Sequence, residues 1–295
     1  ADYREDMRIS GEILDRLVEA YRKIRNTCRY LLGNLADFDP AEEQDPATLS
    51  EIDRWAYSRL QALIEAVTRS YEAFAFHEVY HAVYQFCIVE MSSFYFDVLK
   101  DRLYTFHAHD PARRGSQWVL YRILKALTTM IAPILSFTAE EVWEYTPGAV
   151  GSVFDADFPK ADAGGRDPDL ESRWASILKI RDEVNRALEV KRREKLIGNS
   201  LEADVTLFLP DEWRTLLEPY ATRIPEIFIV SSGRIAPAAD LPAEATPAVN
   251  VEGMSILVTR AAGEKCDRCW NWRTDATRDG DGPLLCGRCR GVLAS

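Results

Sequence analysis

Four cysteines near the end of the chain constrain its folding more than any other feature. Two residues separate Cys266 from Cys269, two separate Cys286 from Cys289, and sixteen lie between the pairs. Two intervening residues let one tight turn aim both sulfurs at a single point, and two such turns complete a tetrahedron of thiolates. The spacing therefore predicts one zinc ion held by Cys266, Cys269, Cys286 and Cys289. All four positions are protein sulfur, so no water or substrate can bind the ion, and its role is structural. Two disulfides are the competing reading, which a reducing compartment disfavours; Cys28 and Cys87 sit on apolar helical faces like ordinary buried residues. A tail of about thirty residues cannot bury enough apolar surface to fold alone, so the metal is expected to supply most of its folding free energy.

Upstream, helical periodicity dominates. Leu14, Leu17, Tyr21, Ile24, Cys28, Leu31 and Leu35 recur at three- and four-residue steps, predicting a helix over 10–35 with Ser10 as N-cap and Gly33-Asn34 as stop. Further helices are expected over 49–71, over 77–103 and over 112–130, where Pro133 kinks or ends the last. A short one should start at Thr138, whose spacing from Glu141 is that of a capping box. Four to five antiparallel helices imply a bundle. Composition changes at Thr146-Pro147-Gly148, and 155–169 is rich in Asp, Gly, Pro and Ala, as linkers are. A helix resumes from Leu170 to Lys191-Arg192-Arg193, before Gly198. Strand-like runs follow at 203–209, 227–230 and 254–260, with helix-like residues over 213–220 and a Pro/Ala-rich loop over 236–248. The expected fold is mainly α: a helical bundle over 1–155, a small α+β domain over 156–262 and a zinc knuckle over 263–295.

The net charge of −11 argues against a polyanionic partner at first sight. Yet residues 22–29 and 111–139 each hold four basic residues and no acid. Either stretch reads as a solvated helix face or as a phosphate-binding one. Arg22, Arg25, Asn26 and Arg29 fall together away from the apolar stripe, and Arg113 and Arg114 precede the fourth helix. Arg25 or Arg29 has an alternative in pairing with Glu141 or Asp97. Around the cysteines, Arg268, Arg288 and Trp270 supply phosphate contacts and a stacking surface, as a single-stranded RNA loop needs. Trp270 reads equally well as a lid that keeps the metal dry.

His77-Glu78-Val79-Tyr80-His81 matches H-E-x-x-H, the zinc-peptidase signature. A catalytic ion needs a third ligand, and the residues after His81 are not those of a metzincin; Glu90, Asp97 and Asp101 remain on spacing alone. The helix is also dense with aromatics that need burial, so an accidental match is the better reading. The chain contains no G-x-x-x-x-G-K-S/T loop, G-x-G-x-x-G turn or G-x-S-x-G elbow. The start, Ala1-Asp2-Tyr3-Arg4-Glu5-Asp6, lacks signal-peptide design, and no run of eighteen apolar residues occurs, so a cytoplasmic protein without a membrane span is expected.

Several segments in order resemble bacterial isoleucyl-tRNA synthetases of class I. They are Asp6-Met7-Arg8-Ile9-Ser10, the run from Tyr21 to Leu35, Asp53-Arg54-Trp55, Phe76-His77-Glu78-Val79, Phe94-Tyr95-Phe96-Asp97 and Lys100-Asp101-Arg102-Leu103-Tyr104. Ala132-Pro133-Ile134-Leu135-Ser136-Phe137-Thr138-Ala139-Glu140-Glu141-Val142-Trp143 and the terminal Gly263-Glu264-Lys265-Cys266-Asp267-Arg268-Cys269-Trp270 complete the series. The resemblance implies an anticodon-binding bundle, a junction domain and a zinc finger that place isoleucine tRNA on a catalytic domain using ATP. Neither the HIGH nor the KMSKS signature is present and no editing insertion exists, so the chain is expected to be a C-terminal fragment, inactive alone. Its partners would be isoleucine tRNA and the missing catalytic and editing domains, with the protein a monomer. Rival readings are a valine, leucine or methionine synthetase and a zinc-finger DNA glycosylase, whose first domain would be β-rich.

Overall fold

A computed structural model describes residue 3 and residues 9–294. The leader reading of the first six residues and the Asp6-Met7-Arg8 part of the first motif fall mainly outside the described residues. The chain divides into two units, one of residues 1–99 and 108–171, the other of 100–107 and 172–295.

The first unit is helical. It contains α1 (Gly11–Gly33), α2 (Glu51–Glu72), α3 (Phe76–Gln85), a π-helical turn (Phe86–Tyr95), the start of α4 (Phe96–Thr105), α5 (Pro111–Ile131) and α6 (Ser136–Glu144). Ser10 caps α1 by accepting from the Ile13 N–H at 3.3 Å, and Asn34 closes it. Asp110 caps α5 in the same way, with Pro111 in its first turn where a missing N–H costs nothing. α2 packs against α3 and α5, while α1 packs against α5, α6 and the π-helical turn. Trp55 meets Phe94 edge-on at 5.4 Å, and Tyr30 stacks on Phe96 at 4.4 Å.

Three expectations change here. Leu14, Leu17 and Tyr21 were expected on the buried face of α1 but are exposed, Leu14 by 47%; burial begins at Ala20, because the packing elements meet only the later turns. Between α3 and α4 the chain keeps turning, yet Phe86–Tyr95 bonds one residue further back, as Ser92 Oγ also does by donating to the Cys87 carbonyl at 2.7 Å. The wider turn lets the consecutive aromatics Phe94, Tyr95 and Phe96 all be buried, which a regular helix face cannot do. The capping box at Thr138 does not form. α6 starts two residues earlier, after a turn in which Leu135 N–H donates to the Ile131 carbonyl, and Thr138 Oγ1 instead meets Tyr21 OH at 3.1 Å.

The second unit contains most of α7 (Pro168–Arg193), then β1 (Ala203–Leu209), α8 (Asp211–Leu217), α9 (Ile224–Phe228), β2 (Ser232–Pro237), β3 (Thr246–Pro247) and β4 (Ser255–Arg260). The strands form a mixed sheet in the order β2-β1-β4-β3, with β1 parallel to β2 and antiparallel to β4. The expected strand at 227–230 is α9 and its end. Pro225 opens a helical turn, and the buried Ile224, Ile227 and Phe228 have helical rather than alternating spacing. The end of β2, Ala236–Pro237, falls in the stretch expected as a loop, and β2 has Gly233 where a Cβ would lie 2.5 Å from Ile224 of α9. Trp174 of α7 is fully buried against Tyr220, 5.9 Å between ring centres. Buried Glu183 fixes the 249–250 turn by accepting from the Val249 and Asn250 N–H groups at 2.9 and 3.1 Å. Among the described residues no helix is long and apolar enough to cross a membrane.

Asp53 organises the bundle interior. Fully buried in the first turn of α2, it accepts from Ser50 Oγ at 2.5 Å, Tyr95 OH at 2.7 Å and Ser116 Oγ at 3.1 Å. Replacing Asp53 with Ala removes the acceptor these three donors share. Ser116 Oγ keeps the Ala112 carbonyl at 3.0 Å and half-buried Ser50 can turn to water, so the cost is mainly that of the buried Tyr95 hydroxyl. A loss of roughly 1–3 kcal/mol is expected in urea unfolding. A loss below about 1 kcal/mol would show that the donors find other partners.

Candidate metal centre and nucleic-acid interface

The four cysteines converge. β5 (Glu264–Lys265) pairs with β6 (Trp272–Arg273) in a hairpin whose turn carries Cys266 and Cys269. β7 (Thr277–Arg278) and β8 (Leu284–Leu285) deliver Cys286, and Cys289 lies in the first turn of α10 (Gly287–Ala294). The hairpins are joined where Asp267 N–H donates to the Leu284 carbonyl and Leu284 N–H donates to Asp267 Oδ2, both at 2.8 Å. Gly263, at φ 89°, permits the approach of the strands, since a Cβ there would meet the Arg273 carbonyl carbon at 2.3 Å.

All four sulfurs lie within 4.8 Å of one another, and Cys269 Sγ is 3.9 Å from Cys286 Sγ. A tetrahedral zinc with bonds of about 2.3 Å requires sulfur separations of about 3.8 Å, so the cradle fits that ion. The electrostatics agree. Burial and the neighbouring Cys269 charge push Cys289 up to about 12. Burial would also raise Cys266, but backbone N–H groups of Cys269, Cys286 and Arg268 outweigh it and bring it to about 6. Four thiolates can coexist here only beside a cation that offsets their repulsion, which is what zinc supplies when bound. Cys28 and Cys87 are buried, and burial raises both thiols, Cys28 to about 12.

Within the second unit the knuckle grips the end of α4. Arg288 donates in bidentate fashion to Asp101 at 2.5 and 2.7 Å, reaches Thr105 Oγ1 at 3.2 Å and lies 5.4 Å from the Phe106 ring centre. Arg268 donates to the Thr105 carbonyl, one of the orphan acceptors at a helix C-terminus. Burial alone would raise the Asp101 carboxyl, but Arg288 holds it below its ordinary value. Asp101 and Thr105 carry no local sequence signal for this role. Their partners lie more than 160 residues away.

The remaining candidate RNA contacts fall into two groups. On α1, Arg22, Arg25, Asn26 and Arg29 are all exposed. Arg22 pairs with Glu19 at 2.7 Å and Arg25 with Glu141 at 3.5 Å, both at the surface. Among the described residues Arg29 and Asn26 have no side-chain partner. Arg113 and Arg114, by contrast, are only 14% and 11% exposed. Arg113 donates to both Asp37 oxygens, at 2.8 and 3.1 Å, and Arg114 donates to the Asp37 carbonyl at 2.7 Å, pinning the segment after α1 to the start of α5. Trp270 is 60% exposed at φ 62°, with Lys265 Nζ 5.5 Å from its ring centre. It therefore does not act as the lid; Leu285 packs against the sulfurs instead.

The H-E-x-x-H residues lie on α3, where Glu78 accepts from Ser70 Oγ at 3.1 Å. Two of the three possible third ligands have other partners: Glu90 pairs with Arg59 and Asp101 with Arg288. The four cysteines are the single group of three or more metal-ligating side chains brought together among the described residues.

Two measurements check these placements. Chelation of the zinc-loaded chain should raise hydrogen exchange over 264–293 and also over 101–106, while α2 and α5 stay protected; unchanged exchange at 101–106 would show that the knuckle does not hold that helix end. The Arg113 hydrogen bonds lower the Asp37 carboxyl from 3.8 to about 2. Its contribution to stability is thus complete above the ordinary carboxylate value and lost as pH falls through the lowered one. An NMR titration of the Asp37 carboxyl carbon should therefore show a midpoint near 2, and one near 3.8 would contradict the pairing.

Comparison with known proteins agrees with the geometry. Residues 53–207 match the family model described as the anticodon-binding domain of tRNA ligase, and residues 263–291 match the zinc finger found in FPG and IleRS. Similar curated proteins include the isoleucine–tRNA ligase of Syntrophotalea carbinolica, 47% identical over 99% of this chain and 32% of the relative. Those of Geobacter sulfurreducens and Syntrophomonas wolfei are 48% and 44% identical, over 99% and 100% of this chain and again 32% of each relative. The chain spans about a third of the length of the curated relatives it matches. By the match over 53–207, which covers more than half of the chain, it belongs to the family of anticodon-binding domains of tRNA ligases.

Proposed function

We propose that this chain is the tRNA-positioning portion of an isoleucine–tRNA ligase, holding isoleucine tRNA for aminoacylation carried out elsewhere in a longer protein. The observation that carries the reading is the co-occurrence, in one chain, of the anticodon-binding match over 53–207 and the IleRS-type zinc finger over 263–291. In this reading residues 1–155 bind the anticodon arm, 156–262 form the junction and 263–295 the zinc finger. The partners are the catalytic and editing domains of the same protein, which works as a cytoplasmic monomer. A DNA glycosylase would share the terminal finger but needs a β-rich first domain, and the first unit is helical.

The role of the chain is electrostatic and positional. Arg22, Arg25, Asn26 and Arg29 form the phosphate-facing surface of α1. Exposed ion pairs such as Arg22 with Glu19 are worth about 0–1 kcal/mol and yield readily to a phosphate. Trp270 offers a stacking face beside Lys265 for an unpaired base. Arg113, Arg114, Arg268 and Arg288 would have to exchange intramolecular bonds for RNA, so they act chiefly by holding the contacting segments in place.

Anisotropy titration of the zinc-loaded chain with several tRNAs tests this. The unsubstituted chain should prefer isoleucine tRNA. Arg22→Ala with Arg29→Ala should weaken every tRNA by a similar factor, about tenfold, and flatten the salt dependence. Equal affinity for all tRNAs would remove the isoleucine assignment, and unaltered affinity in the double variant at low salt would remove the α1 face.

A further inference from the structure

A second basic site lies in the first unit, on the later part of the acid-free stretch in α5. Arg122 and Lys125 of α5 and Lys160 from the segment after α6 line one hollow of about 190 Å3, whose remaining walls are Tyr57, Leu60, Gln61 and Ile64 of α2, Ala126 and Thr129 of α5, and Asp157, Pro159 and Asp162. The volume is below the roughly 300 Å3 at which sites for whole small molecules begin, so it suits one compact group. The cations are unusual for this chain. Most of its arginines meet carboxylates, whereas Lys125 and Lys160 have no partner among the described residues. Arg122 lies 5.2 Å from the Trp118 ring and donates to the Tyr57 hydroxyl, with no direct carboxylate partner among the described residues.

Two carboxylates oppose them. Asp162 accepts from Tyr57 OH at 3.3 Å and from the Gly164 N–H at 2.9 Å, and both it and Asp157 are exposed carboxylates. Three cations against two carboxylates leave the hollow with one net positive charge, which favours an anion. Gln61 Oε1 accepts from the Asp162 N–H at 2.9 Å, which ties the backbone two residues after Lys160 to α2.

We propose that the hollow lined by Arg122, Lys125 and Lys160 binds a backbone phosphate of RNA, with the apolar wall of Leu60, Ile64 and Ala126 against the adjoining sugar. Phosphate and sugar take half or more of protein contacts in nucleic-acid complexes, chiefly from arginine and lysine. The proposal rests on the tRNA-binding reading above and adds a contact site to it, on side chains other than those of the α1 face.

The test uses the zinc-loaded chain, isoleucine tRNA and the double variant Lys125→Glu/Lys160→Glu, with Lys125→Gln/Lys160→Gln as the milder form should the reversal disturb folding by circular dichroism. Affinity is read from about 50 to about 200 mM salt. The expected result is a fall of about tenfold at the low end and a loss of about one unit from the slope of log affinity against log salt, the signature of one phosphate contact. Affinity and slope unchanged in both variants, with the unsubstituted chain binding tightly, overturn this site and leave the tRNA-binding reading standing. Absence of binding by the unsubstituted chain overturns that reading and this one with it. Inorganic phosphate is the second probe: shifts of the Lys125 and Lys160 resonances by phosphate, with RNA affinity indifferent to the substitutions, would mark a general anion site and overturn the proposal.

Discussion

Pairing of guanidinium with carboxylate inside each unit decides what the rest of this acidic chain can do. In the first unit Arg59 of α2 holds Glu90 with two bonds, at 2.7 and 2.9 Å, and Glu171 with a third at 2.7 Å, joining the π-helical turn and the head of α7 to one side chain. Arg113 does the same for Asp37, and in the second unit Arg288 does it for Asp101 while Arg102 meets Glu226 at 2.9 Å. Each of these partly buried pairs is strong because the guanidinium is planar and matched to the carboxylate fork. Basic residues used in this way are architecture. Those left at the surface, on α1 and around the α5 hollow, are what the chain can offer a polyanion despite its net charge of −11.

Zinc extends the same logic to the C-terminal segment. The knuckle has a core of four sulfurs, with Leu285 the one partly buried apolar side chain packed on it among the described residues. Its shape depends on the sulfur cluster, and its attachment within the second unit depends on Arg268 and Arg288, which flank Cys269 and Cys289 on those turns. Metal coordination therefore does more than close a loop: it sets two arginines at the spacing that caps the end of α4. The exposed Trp270 follows from the same turn, because its left-handed backbone directs the ring away from the sulfurs.

Much of this was legible in the sequence, for identifiable reasons. The metal cradle followed from spacing alone, since ligand geometry is local. The long helices followed from periodicity, and the N-cap at Ser10 from chemistry. Departures arose where tertiary context overrides a local signal. Leu14 and Leu17 fit a buried stripe perfectly well, yet burial depends on what packs against them. The residues 224–228 are apolar in a way that suits strand or helix, and Pro225 tips the balance. Thr138 and Glu141 have capping-box spacing but sit one turn too late, with Glu141 turned toward Arg25. Nor can a sequence separate structural from available arginines. Arg113 and Arg29 look alike until Asp37 is found 76 residues from the former.

The central claim, that tRNA meets the exposed cations that intramolecular pairing leaves free or holds only in weak surface pairs, is tested most directly by a hydrogen-exchange footprint of the zinc-loaded chain with and without isoleucine tRNA. The account predicts added protection over 22–29 and over 265–272, with 34–37 and 101–106 unchanged because their arginine contacts already exist. Protection confined to the segments around Arg113 and Arg288, with none on α1 or near Trp270, would contradict it.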